Sequence, residues 1–188
     1  MTIDWNRELV DQLDWHWQNQ ARPRLDGLTD DEYFWEPVAG CWNVRAREAT
    51  PADLAHGSGS HVVEFARPEP IPPPVTTIAW RMAHLIVGIL GQRAASHFGA
   101  PPIEWDSHAY AGSAAGALNQ LDEAYAQWTE GVRGLGEDGL ARPCGPAEGP
   151  YAELPLAALV LHINREAIHH AAEIALLRDL YRRREGGR

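Results

Sequence analysis

The sequence predicts an all-α fold, a four-helix bundle with a long irregular connection between helices 1 and 2. Four segments carry apolar residues at helical spacing, and no segment shows a convincing strand run or an internal repeat. A chain of 188 residues, 45% of them hydrophobic and 22% charged, is ordinary for a globular protein. We therefore expect one domain that spans residues 1–188.

The first helix is predicted to begin after Asp4, whose side chain suits an N-cap, and to run to about Leu25. Thr29 then starts a short helix. Residues 36–74 follow with no clear periodicity, seven prolines and a glycine–serine stretch. Connections this long in compact domains are usually functional or mobile, so we expect this one to help shape a pocket.

The second and third helices carry the most regular apolar patterns of the chain. The second is predicted to begin after a cap at Thr76 or Thr77 and to end near Phe98. The third begins at Ser113 and ends near Leu135, where glycines follow. The stretch between this helix and the last one is expected to be loop with about one helical turn.

The last helix, predicted from Leu156 to Tyr181, has no proline or glycine. It is apolar nearly all round, which is typical of a buried helix. At about 100° per residue, His162, Glu166 and His170 fall on one arc of about 80°. Ionisable groups on a buried helix need ion pairs, hydrogen bonds or a metal.

Glu166 and His170 are four residues apart and can therefore point at one ion. A third ligand must come from another segment. His84 lies in the middle of the apolar second helix, and Gly88, one turn away, would leave room beside the imidazole. The same residues also suit a buried polar network, because a lone histidine in an apolar helix is more often a hydrogen-bonded core residue. Both interpretations are open at this stage.

Three stretches of the chain resemble the DinB/YfiT-type metalloenzyme superfamily, and the resemblance covers essentially the whole length. They are LDGLTDDEYFWEP after the first helix, TTIAWRMAHLIVGIL in the second and HINREAIHHAAEIALLRDLY in the last. The resemblance implies a divalent metal held by His84 of the second helix and by two residues four apart on the last. That pair is often two histidines, whereas this chain has Glu166 and His170. A His, Glu, His set is similar to that of the mycothiol-dependent maleylpyruvate isomerase branch.

The implied ligand set of two imidazoles and one carboxylate suits Zn²⁺ with an open fourth position, and would equally suit Ni²⁺ or Fe²⁺. Glu173 would then orient His170, and His162 and His169 are alternative ligands if the register shifts by one turn. The resemblance also implies a low-molecular-weight thiol at the open position, where the metal would lower the thiol pKa. The arginine-only, alanine- and glycine-rich composition suggests mycothiol as that thiol.

We therefore expect a divalent-metal-dependent enzyme, a thiol S-transferase or a thiol-dependent isomerase, that acts on a small-molecule substrate. One alternative is a metal-dependent hydrolase with the same ligands. Another is a non-catalytic metal-binding bundle. Arg45, Arg81 and Arg165 are each candidates to hold a substrate carboxylate. The loop histidines His56 and His61 either overhang the pocket or have no role.

Charge and hydropathy limit the partners. The net charge is −10, with 26 acidic against 16 basic residues, so we expect no binding to nucleic acid. No run approaches the ~20 apolar residues that span a bilayer, and we expect no membrane partner. The acidic N-terminal stretch is unlike a signal peptide, which predicts a cytoplasmic protein. Helical bundles of this size often pair, and we expect a homodimer.

Overall fold

The computed structural model describes residues 2–184, so the expected domain of residues 1–188 extends beyond the described part at both ends. The helices in that part are α1 (Trp5–His16), α2 (Asp30–Tyr33), α3 (Ile78–Ala83), α4 (Gln92–Phe98), α5 (Ala114–Arg133), α6 (Gly136–Ala141) and α7 (Leu156–Arg183). The π-helical stretch Trp17–Ala21 continues α1, and another, His84–Gly91, joins α3 to α4. Four long rods result, and the predicted helical class is confirmed.

Three of the predicted helix starts are confirmed by their caps. The side chains of Asp4, Thr77 and Ser113 each accept a hydrogen bond from the backbone N–H three residues later. These bonds satisfy one of the amides that every helix start leaves without a partner. At the other end of the second rod, Gly99 has a φ of +73° and closes α4 in the left-handed conformation that glycine adopts readily.

The connection 36–74 contains a three-stranded antiparallel sheet, so the expectation of a wholly irregular segment was wrong. Its strands are β1 (Val44–Ala46), β2 (Ala55–His56) and β3 (His61–Glu64), in the order β1-β3-β2. Strands of two to four residues are too short to show a period-2 pattern in the sequence. A parallel bridge between Trp42 and Thr76 joins this segment to the start of α3.

The hydrophobic core lies where α3, the π-helical stretch after it, α5 and α7 meet. Trp128, Met82 and Ile163 are among its largest fully buried side chains. The expectation that α7 is buried nearly all round was wrong, because Leu161 is 49% and Leu176 60% exposed. Only one face of α7 meets the other helices. Within residues 2–184, no helix is both long and apolar enough to cross a membrane.

A buried ion pair joins the last helix to α2. Arg178 Nε lies 2.7 Å from Glu32 Oε1 and its Nη2 lies 3.0 Å from Glu32 Oε2. The arginine side chain is 1% exposed and the glutamate side chain 3%. Arg178 Nη1 also donates to the carbonyl of Arg24. This bidentate geometry fixes the C-terminal half of α7 and therefore the residues that α7 presents.

Candidate metal centre

His84 begins the π-helical stretch His84–Gly91, where the wider helical turn interrupts an otherwise regular rod. Short π-helical segments occur frequently at functional sites. The imidazole lies between two indole rings, with ring centroids 5.5 Å from Trp80 and 5.9 Å from Trp105. Neither of its nitrogens has a hydrogen-bond partner in the part of the chain that the structure describes.

Burial, followed by the charges of His170, Arg81 and Arg93, lowers the pKa of His84 to about 3. The imidazole is therefore neutral at physiological pH and keeps one lone pair for a ligand. A neutral imidazole is the form that binds metals. A hydrogen-bonded core histidine would instead have a partner on its ring nitrogens.

Gly88 leaves the space beside this imidazole that the sequence predicts. A Cβ at this position would lie 2.7 Å from Trp105 Cζ2 and 3.2 Å from His84 Nδ1. The first distance is shorter than packed carbon atoms allow. The absence of a side chain at Gly88 therefore lets Trp105 and His84 approach each other.

On α7, His170 is buried and held by two carboxylates. Its Nδ1 lies 2.6 Å from Glu173 Oε2, and its Nε2 lies 3.6 Å from Glu166 Oε2. Arg81 Nη1, which can only donate, lies 3.4 Å from the same Nδ1, but the Glu173 carboxylate, which only accepts, is much closer, so we assign the proton to Nδ1 as the donor to Glu173. This tautomer leaves the lone pair of Nε2 free on the side of Glu166.

Arg81 fixes Glu173 in turn. Its Nη1 lies 3.2 Å from Glu173 Oε2, and burial lowers the pKa of this arginine. Glu173 therefore neutralises the charge of Arg81, which is one of the arginines expected to hold a substrate carboxylate. The chain of contacts runs from Arg81 through Glu173 to His170, which is how histidine ligands of metals are commonly oriented.

The two helices bring His84 and His170 together. Their ring centroids are 4.7 Å apart, and the ring planes are perpendicular at 89°. Glu166 lies beside His170, one helical turn before it. The structure thus brings two of the three sequence-predicted ligands into ring contact and sets the third next to one of them.

A second group of possible ligands lies on the outer side of the same helix. The ligand atoms of His169, His170 and Glu173 all lie within 4.8 Å of one another, the only such trio found among residues 2–184. The side chain of His169 is 64% exposed, and its Nε2 lies 3.4 Å from Glu173 Oε1. From the sequence, we expect His169 only as an alternative ligand and Glu173 only as a residue that orients His170.

His162, the other alternative ligand, points toward a pocket. Its Nδ1 accepts a hydrogen bond from Arg165 Nη2 at 2.7 Å and lies 3.8 Å from Glu166 Oε1. The pocket has a volume of about 500 Å³. At its side, the nearly buried carboxylate of Glu148 contacts His97 at 3.0 Å and Arg93 at 3.5 Å. Both polar and apolar side chains line this space, including Arg93, Cys144, Tyr151, Leu154 and Leu159.

A second cavity, of about 290 Å³, is lined by His84 itself. Part of its wall comes from the 36–74 connection, which we expect from the sequence to help shape a pocket. The remaining wall comes from α3 and from the connection between α4 and α5. Its lining side chains are Trp42, Phe65, Ala66, Arg67, Glu69, Trp80 and Trp105.

The loop histidines and Arg45 have partners other than the candidate ligands. His56 Nδ1 lies 2.7 Å from Asp106 Oδ1, and the imidazole stacks on Phe65. His61 stacks on Phe34. Arg45 forms ion pairs with Glu36 at 2.7 Å and Glu64 at 2.8 Å, so its charge is already neutralised.

Comparison with family models matches residues 12–174 to the DinB superfamily. The chain belongs to the DinB superfamily. Comparison with curated proteins and with solved structures found no match. Family membership therefore agrees with the helical fold, and the assignment of ligands and chemistry depends on the geometry of this chain.

Sequence reasoning missed several residues around the centre. Trp105 lies in the connection between α4 and α5 and reaches His84 only through the tertiary fold. Arg93 donates to the carbonyl of Gly88 at 2.6 Å, which brings its charge close to His84. No sequence pattern pointed to either residue. Their positions depend on the path of a loop and on the π-helical turn.

Proposed function

We propose that this DinB superfamily protein is a divalent-metal-dependent enzyme, a thiol S-transferase or thiol-dependent isomerase, with His84, Glu166 and His170 as metal ligands. The observation that carries the proposal is the 4.7 Å approach of the two imidazoles, with the Glu166 carboxylate 3.6 Å from His170. Zn²⁺ is the ion we expect, because two neutral nitrogens and one carboxylate are a common donor set of catalytic zinc sites. Ni²⁺ and Fe²⁺ suit the same donors.

The residues fit a metal in two respects. His84 is neutral, partly buried and without a hydrogen-bond partner among residues 2–184, so its lone pair is available to a metal. Glu173 holds the Nδ1 proton of His170 and directs Nε2 toward Glu166. A bound divalent ion would supply Lewis acidity, which lowers the pKa of a thiol or a water that it coordinates.

We favour this set over His169, His170 and Glu173. An ion in the outer trio would need the Nδ1 atom of His170 or the carboxylate of Glu173, and these two already bond to each other. An ion bound to Glu173 would also compete with the ion pair that this carboxylate forms with Arg81 at 3.2 Å. The inner set keeps both of these contacts intact.

The 500 Å³ pocket is the place we propose for the thiol. His162, which lines it, is one helical turn before Glu166, so a ligand there reaches the centre along α7. Arg93 and Arg165 on its wall suit the carboxylate or hydroxyl groups of a low-molecular-weight thiol. A mycothiol-type thiol is the candidate, by family resemblance.

Two further features belong to the proposal. We propose a homodimer, because large apolar side chains of α7 such as Leu161 and Leu176 are exposed and a second copy would cover them. Sedimentation equilibrium tests this, and a monomer at all concentrations would contradict it. We also propose that the protein works in the cytoplasm on a small-molecule substrate.

Spectroscopy of the cobalt-substituted protein tests the thiol function. Cysteine and N-acetylcysteine, used as thiol probes, should each add a thiolate-to-cobalt charge-transfer band, whereas serine and N-acetylserine should not. His84→Ala should abolish the cobalt spectrum, and the exposed control variant Trp15→Ala should leave it unchanged. If cobalt binds and its spectrum changes with none of the thiols, the result would contradict the transferase and favour the hydrolase.

A further inference from the structure

The cavity that contains His84 is walled by aromatic rings, an arrangement that the metal ligands do not require. Four aromatic side chains, Trp42, Phe65, Trp80 and Trp105, surround it, and we call this the aromatic cup. Its volume of about 290 Å³ lies at the lower end of the range for small-molecule sites, so its ligand is small.

We propose that the aromatic cup binds the substrate, and that this substrate is a flat aromatic carboxylate. This substrate class rests on the function proposed above, since the cup opens on His84. Three features of the cup support this ligand: its stacked rings, their fixed positions and the unpaired charge of Arg67.

Two rings of the cup and the imidazole of His84 lie in nearly parallel planes. Trp42 and Trp80 are tilted by 26°, with centroids 6.2 Å apart, and Trp80 and His84 by 16°. Phe65 meets Trp105 edge to face at 5.5 Å. Aromatic pairs gain energy beyond area burial in stacked and edge-to-face geometries, so these walls select a flat ligand over a puckered one of equal size.

Each wall is fixed by contacts outside the cup. The indole N–H of Trp80 donates to the carbonyl of Glu64 at 2.7 Å. The ring of Phe65 stacks on His56 at a centroid distance of 3.6 Å, and His56 is held by Asp106. A pocket whose walls are already fixed loses little side-chain entropy when a ligand binds.

The charges around the cup favour an anion. Arg67 lies on its wall, with Cζ 5.3 Å from the centroid of Phe65, and has no ion-pair partner among the described residues. The guanidinium of Arg81 lies 5.6 Å from the centroid of Trp80, and Glu173 neutralises it. Glu69 is the one acidic residue of the lining. Arg67 is therefore the one cation near these rings without an ion-pair partner among the described residues, and a ligand carboxylate would pair with it.

Calorimetry with four probes tests the proposal: naphthalene-2-carboxylate, the matched neutral alcohol 2-naphthalenemethanol, the saturated decalin-2-carboxylate and the cationic 2-naphthylmethyl-trimethylammonium. The flat carboxylate should bind several-fold to about tenfold tighter than the saturated one. It should also bind tighter than the alcohol and tighter than the cation, because only the carboxylate pairs with Arg67. Equal affinity for the two carboxylates, or tightest binding of the cation, would overturn the proposal.

Substitutions of cup residues test whether naphthalene-2-carboxylate binds in the cup. Trp105→Ala should weaken naphthalene-2-carboxylate about tenfold, and the matched variant Trp15→Ala, on the exposed surface of α1, should leave it unchanged. Phe65→Leu serves as a second cup variant if loss of Trp105 disturbs folding. Arg67→Gln should make the carboxylate and the alcohol bind equally. Loss of binding in Trp15→Ala with full binding in both cup variants would refute the site.

The same titrations, run with zinc-loaded and with chelator-treated protein, separate this proposal from the metal site. The cup needs no metal to stack a flat ring, so the order of the probes should be the same in both forms. If zinc binds and the probe order fails, the substrate class is wrong and the metal centre stands. If the probe order holds and no zinc binds, the metal centre is wrong and the substrate class stands.

Discussion

Glu173 distinguishes the two possible metal sites, because it orients a ligand in one and is a ligand in the other. In the proposed site it holds His170 through Nδ1 at 2.6 Å and touches no ion. Removing such an orienting carboxylate typically lowers metal affinity 10- to 100-fold, which is about 1.4 to 2.7 kcal/mol. Glu173→Gln keeps a carbonyl oxygen that accepts the Nδ1 proton, so its loss should be near tenfold, and that of Glu173→Ala near 100-fold.

Competition with a chromophoric zinc chelator measures both affinities, and circular dichroism checks that the helices persist. Glu130→Gln, an exposed position of α5, is the matched control and should not change zinc affinity. A loss well beyond 100-fold in Glu173→Gln would show that Glu173 is itself a ligand. The inner site would then be refuted in favour of the trio that contains His169.

Three further predictions concern stability. Arg178→Ala should lower the free energy of unfolding by about 3–5 kcal/mol, since it removes both close contacts of the buried Glu32 carboxylate and leaves it with the more distant Arg182, 3.8 Å away; urea unfolding checks this, and a loss under 1 kcal/mol would contradict it. Gly88→Ala should cost about 1–3 kcal/mol, because its Cβ would lie 2.7 Å from Trp105, and an unchanged urea midpoint would contradict the packing. In metal-free protein, unfolded chains protonate His84 near pH 6.5 but the folded state does so only near pH 3, so stability should fall on acidification between these values. The free energy of unfolding should fall by at most about 1.4 kcal/mol per pH unit. A His84→Asn variant should lack this contribution when its free energy of unfolding, measured with urea over the same pH range, is compared with that of the wild type.

Local signals made much of the fold predictable. Asp4, Thr77 and Ser113 act through their own side chains on an amide three residues away, so their positions in the sequence predict three helix starts. The strands of the 44–64 sheet could not be predicted in this way. They have two to four residues, and their pairing depends on contacts across a loop.

The residues of the candidate centre could likewise be predicted only in part. Glu166 and His170 could be found because helical spacing alone puts them on one face. His84 needed the family resemblance, since one histidine in an apolar helix carries no spacing signal. Trp105 and Arg67 could not be found, because each reaches the cavity from a connection whose course is set by tertiary packing.

Elemental analysis of protein purified without chelator tests the central claim most directly, with His84→Ala and His169→Ala measured beside the wild type. We predict about one equivalent of zinc, nickel or iron in the wild type and in His169→Ala, and none in His84→Ala. Metal retained in His84→Ala and lost in His169→Ala would contradict the site at His84, Glu166 and His170.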